Sequence, residues 1–251
     1  MTQIIAVHSF RGGTGKSNIA ANCAAYLAQQ GAQVAVVDTD VQSPGIHTLF
    51  NLAQAELEFT LNDYLWDRCP VERVAYDVTS RLNGHAGSGK LHLIPASLKL
   101  GAINRVLQEG YAVERLNMGF RALVQALNLD YLFLDTHPGV NEETLLSIAV
   151  CHTLLFILRP DQQDYQGAGV MIEVARKLEV PRTLLAFNKV VSSFDHAILR
   201  QEAETVYGCP VVVVLPLSED VAQMGSGDLF FLRYPDHPFT TGIASIVNCL
   251  K

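Results

Sequence analysis

The chain has 251 residues, 49% of them hydrophobic and 17% charged, with a formal net charge of −7. That length supports one large α/β core, and the acidic balance disfavours a chain built mainly for nucleic-acid contact. No two of the five cysteines stand in CxxC spacing, and no apolar run nears the ~20 residues that span a bilayer, so a CxxC metal site and a membrane-spanning helix are both excluded.

Met1 to Val7 reads as a strand and not as a signal peptide, because it lacks a cationic start and a long apolar run. The segment Phe10 to Asn18, FRGGTGKSN, follows directly and opens a helix expected over Ser17–Gln30, with Gly31 as its C-cap. Strand, glycines, Lys-Ser and helix in that order are the grammar of a phosphate-binding loop. Gly12, Gly13 and Gly15 allow close backbone approach, and the amides from Gly12 to Asn18, with Thr14 among them, would form a concave anion site. Lys16 would reach the β- and γ-phosphates, and the Ser17 hydroxyl would ligate Mg²⁺.

Further strands are expected at Val34–Val37, Leu91–Ile94, Tyr131–Leu134, Leu154–Leu158, Leu184–Phe187 and Val211–Leu215. Their apolar residues are consecutive and not alternating, which suits strands covered on both faces. Helices are expected at Phe120–Leu127, Glu142–Val150, Gln166–Leu178 and His196–Tyr207. The alternation predicts a single α/β domain over residues 1–251, a doubly wound, mostly parallel sheet with helices on both faces. Ligands of such folds sit at the carboxyl ends of the strands.

Gly84 to Leu91, GHAGSGKL, nearly matches the GxxxxGK[ST] pattern as well. It ends in a leucine that cannot ligate a metal and runs into an extended segment, LHLIP, instead of a helix. Asn83 to Lys90 is therefore read as a flexible loop.

The ordered set RGGTGKS, VVDTDVQSP at Val36–Pro44, YLFLDTHPG at Tyr131–Gly139, LIPAS at Leu93–Ser97 and LPLSED at Leu215–Asp220 resembles the MinD/ParA family of P-loop ATPases with a deviant Walker A motif. The resemblance runs through nearly the whole chain. It implies that Asp38 and Asp135 stand at magnesium, and that Asp40 orients or activates the attacking water. Asn188 and Pro216 would contact the base, and in FNKV the aspartate that reads guanine is replaced by Val191, so adenine and thus ATP are expected. The signature lysine of the family is replaced by Arg11, which would reach the nucleotide of a partner subunit; Lys99 and Arg159 are substitutes, and local pairing of Arg11 is the alternative.

The odd number and scattered placement of the cysteines suggest reduced thiols in cytoplasm, and the resemblance implies an Mg²⁺-dependent ATP hydrolase. Nucleotide would join two copies, and an activator or cargo adaptor would read the dimer in positioning, partitioning or related regulation. The alternatives are an interaction module with little hydrolysis, and a P-loop kinase or ligase. His137, inside DTHPG, is read as structural, with sensing of the γ-phosphate through the switch as the alternative. The end, GIASIVNCLK, carries a single cation, so it is read as a core-packing helix and not a membrane-surface one. Arg176, Lys177 and Arg182 are read as a solvated face, leaving nonspecific DNA binding weakly supported.

Overall fold

Two cores, one on each face of a single sheet, account for the continuous apolar strands. The computed structural model describes residues 2–82 and 87–251. In it β1 (Gln3–His8), β2 (Gln33–Asp38), β3 (Tyr76–Asp77), β4 (Lys90–Ile94), β5 (Tyr131–Asp135), β6 (Thr153–Leu158), β7 (Arg182–Val190) and β8 (Val211–Pro216) form an eight-stranded sheet in the order β3-β4-β2-β5-β1-β6-β7-β8. Every pairing is parallel except β3 against β4. Side chains alternate across the pleat. Ile5 and Val7 thus enter one core, with Val34, Val36, Leu155 and Ile157, while Ala6 enters the other, with Leu154, Phe156 and Phe187.

The first core is covered by α1 (Lys16–Gln29) and α10 (Pro238–Leu250). On the opposite face α6 (Gln162–Lys177) and α7 (His196–Tyr207) cover one half. There α2 (Leu61–Leu65) and α4 (Val113–Ala126) cover the other, and α5 (Glu142–Val150) lies between the two halves. Three further helices, α3 (Leu100–Glu109), α8 (Glu219–Gln223) and α9 (Phe230–Arg233), lie in the connections. Ile243, Ile246, Val247 and Leu250 of α10 are all buried, so the terminal helix packs in the core as its apolar face predicts. No described helix is long and apolar enough to cross a membrane.

Several boundaries need correction. The helix expected from Phe120 begins at Val113, and the one expected from Gln166 begins at Gln162. Asp161 caps the latter by accepting from the amides of Gln163 and Asp164. The short β3, and α2, α3, α8 and α9, were not expected. The later glycine stretch falls partly outside the described residues, at 83–86. Lys90, expected in that loop, opens β4 and pairs in register with Gln33. A Cβ on Gly89 would lie 2.1 Å from the Ala28 carbonyl oxygen, so this glycine serves close packing against the end of α1.

Candidate functional site

β1 delivers the chain to the sheet's carboxyl edge between β5 and β6, and the glycine loop turns there into α1. Phe10 anchors its entrance: its ring packs on α6 where a Cβ on Gly167 would overlap it at 2.2 Å. Gly13 and Gly15 take φ of +76° and +91°, a region that side chains strain to enter. Among the described residues no protein acceptor takes the amides of Gly12 to Asn18. They stand at the positive end of α1, which is a ready anion site.

The parallel register sets the carboxylates. Asp38 at the end of β2 is the direct partner of Asp135 at the end of β5. Lys16 Nζ donates to Asp135 Oδ1 at 2.6 Å, with both side chains buried. Asp38 is fully buried, and among the described residues it accepts only backbone amides, from Asp40 at 3.2 Å and Gly45 at 3.2 Å. Burial first, then the nearby Asp135 and Asp40, push its carboxyl well above the usual carboxylate range, against a smaller pull from Lys16. Burial also raises Asp40, offset by His137 and Lys16. The cluster is short of positive charge, and a bound divalent cation beside Ser17, Asp38 and Asp135 would supply it.

His137, expected to be structural, lies beside this chemistry. Its Nε2 is 3.9 Å from Asp40 Oδ1, and it lines the cavity that Asp40 lines. His8, at the end of β1, shares a 2.7 Å hydrogen bond with Thr136, and burial drives its pKa down to about 3. It is therefore a neutral, structural imidazole behind the loop.

A cavity of about 490 Å³ opens over these groups, bounded by Gly12 to Asn18, Asp40, His137 and Lys189. A second hollow of about 230 Å³ adjoins it, lined by Gly15, Asn18, Asn188, Pro216, Val221 and Phe239. The pair has a polar half at the glycine loop and a more enclosed, more apolar half. Asn188 donates from Nδ2 to the Thr14 carbonyl at 2.8 Å, so it braces the loop as well as lining the second hollow.

Arg11 does not point into the cavity in the single chain. It donates to Asp161 at 3.3 Å and lies 3.9 Å from Asp164; Arg159 engages the same two carboxylates. This is the local pairing set out as the alternative. Lys189 was missed as a site residue: its contact with the loop joins residues 176 apart, and no local pattern encodes that.

The family model described as ParA, NUBPL iron-transfer P-loop NTPase, matches residues 1–251. An ATP-binding protein of Methanocaldococcus jannaschii is 27% identical over 247 residues, 98% of this chain and 86% of its own length. An iron-sulfur cluster carrier protein of Aquifex aeolicus is 26% identical over 268 residues, covering 99% of this chain and 67% of the carrier. Among solved structures, the septum site-determining protein MinD of Pyrococcus horikoshii, complexed with Mg-ADP, aligns with a TM-score of 0.82 over 100% of this chain and 96% of its own. At 17% identity that likeness speaks for the fold alone.

Proposed function

The chain belongs to the ParA family of P-loop NTPases, and from that premise we propose that it is an ATP-driven switch that pairs two copies of itself around Mg-ATP. The observation that carries this reading is the convergence at one strand edge of a left-handed glycine loop, buried Lys16 on Asp135, and Asp38 in register beside them. In this reading the amides of Gly12 to Asn18 and Lys16 hold the β- and γ-phosphates, and the base lies in the hollow of Asn188 and Pro216. Ser17, Asp38 and Asp135 would hold Mg²⁺, which neutralises phosphate charge when bound. Asp40, at the cavity wall, orients a water toward the γ-phosphorus. As the water oxygen bonds to phosphorus, the bridging bond to the β-phosphate breaks and ADP keeps that electron pair. Such a reaction is mostly positioning and charge compensation.

Arg11 fits the proposal as a cation that leaves Asp161 to engage nucleotide across the dimer. Its pair with Asp161 is about two-fifths exposed on both sides, so breaking it costs little. The test is single-turnover ATP hydrolysis with Asp40→Ala as control, alongside sedimentation with and without ATP. Hydrolysis that Asp40→Ala abolishes, with dimers only in ATP, supports the switch. Equal near-zero rates in both proteins support an interaction module instead.

The Aquifex carrier and the family's iron-transfer description favour a second reading, in which the cargo is an iron–sulfur cluster. The residues fit it poorly. Cys23, Cys69, Cys151 and Cys209 are buried. Burial pushes the Cys151 thiol up to about 12, away from the thiolate a cluster needs. Among the described residues no three His, Cys, Asp or Glu side chains are grouped to hold a metal. Anaerobic reconstitution with iron and sulfide decides between them: a stoichiometric visible chromophore supports the carrier, its absence the switch.

A further inference from the structure

We propose that Lys189 is a positioning residue of the phosphate loop: its ammonium, with Asn188 beside it, locks two consecutive peptide groups so that their amides face the polyphosphate. The proposal rests on the nucleotide reading above and assigns a residue that the FNKV comparison left without a role.

The geometry is unusual for a strand. Neighbouring side chains of a strand point to opposite faces, so Asn188 and Lys189 should diverge. Here the register of β7 against β8 shifts between Phe187 and Val190, and Lys189 takes φ +58°, the left-handed region that a lysine enters only under constraint. The break lets both side chains reach the same loop. Asn188 Nδ2 donates to the Thr14 carbonyl at 2.8 Å, and Lys189 Nζ donates to the Gly13 carbonyl at 2.7 Å. Strained backbone of this kind persists only where its surroundings repay it, and it gathers at functional sites.

The consequence follows from the planar trans peptide, in which C=O and N–H point to opposite sides. The peptides here are trans. Pinning the oxygens of Gly13 and Thr14 toward β7 turns the amides of Thr14 and Gly15 the other way, and neither has a protein acceptor among the described residues. Lys189 also borders both hollows, where the polyanion half meets the base half. Lys189 is exposed, and the hydrogen bond its ammonium makes among the described residues goes to the loop.

The experiment measures Mg-ADP affinity by calorimetry for the wild type, Lys189→Met, Lys189→Arg and Lys189→Gly, together with melting temperatures and the amide resonances of Thr14 and Gly15 without nucleotide. Loss of one charged but exposed hydrogen bond should weaken ADP binding about fivefold in Lys189→Met and shift both resonances. Lys189→Arg should stay within twofold of the wild type. Lys189→Gly removes the left-handed strain, so it should melt no lower than the wild type yet lose the same affinity; it carries the test if Lys189→Met folds poorly. A loss under threefold in both the Met and Gly variants, or unmoved Thr14 and Gly15 resonances, overturns the proposal. Wild-type protein that binds no ADP overturns the nucleotide reading itself, and this inference with it.

Discussion

Adding one methyl group at Gly15 should damage the loop far more than adding one at Gly12. At Gly15 the backbone has φ +91°, where a Cβ costs about 1–2 kcal/mol. That Cβ would also lie 2.4 Å from Asn188 Nδ2, well inside contact distance. Asn188 is buried and must swing away, losing its bond to the Thr14 carbonyl, for about 1 kcal/mol more. Gly15→Ala should therefore lose about 2–3 kcal/mol of stability by these terms. At Gly12 an added Cβ meets nothing within 4 Å and the backbone is not left-handed. Gly12→Ala should stay within about 0.5 kcal/mol of the wild type, yet bind ADP more weakly because the methyl enters the phosphate space. Urea unfolding of the three proteins reads the first effect, as a midpoint shift at constant slope, and calorimetry with Mg-ADP reads the second. Equal stabilities for the two variants, or a Gly12→Ala protein as destabilised as Gly15→Ala, would refute the assigned loop geometry.

Three other outcomes follow. His8 has a folded pKa below its unfolded one, so its stabilisation is complete above about 6.5 and drains away as pH falls toward 3. Between pH 6 and 4, His8→Gln should flatten the fall in unfolding free energy by up to about 1.4 kcal/mol per pH unit, and identical slopes in urea titrations would contradict the buried neutral imidazole. Asp38 is shifted the other way, so its ionised form opposes folding at neutral pH; Asp38→Asn should raise the melting temperature without magnesium and abolish any added stabilisation by Mg-ADP. Arg11→Ala should cost under about 1 kcal/mol in urea, since both partners of its pair with Asp161 are about two-fifths exposed, while lowering ATP-dependent dimerisation; unchanged dimerisation would remove Arg11 from the switch.

The sheet was legible because a strand buried on both faces must be apolar at every position, and Val34–Val37 or Leu154–Leu158 can satisfy little else. The antiparallel β3 was not, since Tyr76–Asp77 is two residues long and carries no apolar run. The first turns of α4 were hidden by Gly119, a poor helix former kept there because its missing Cβ admits the Tyr64 ring at 2.7 Å. At the site, the glycine loop is a local pattern and could be read directly, whereas the two carboxylates came through the family resemblance and their pairing is set by the register of β2 on β5. The attachment of Arg11 to Asp161 spans 150 residues and depends on where α6 docks. The placement of Lys189 depends on a register shift that no residue pattern announces. Such contacts belong to the packed sheet and not to any segment of it.

Which backbone amides receive the phosphates decides between the two glycine stretches. Titration of isotope-labelled protein with Mg-ADP, followed amide by amide by NMR, addresses this directly. Saturable shifts should be largest from Gly12 to Asn18, with smaller ones at Asn188 and Lys189. No saturable change there, or changes concentrated over residues 84–91, would contradict it.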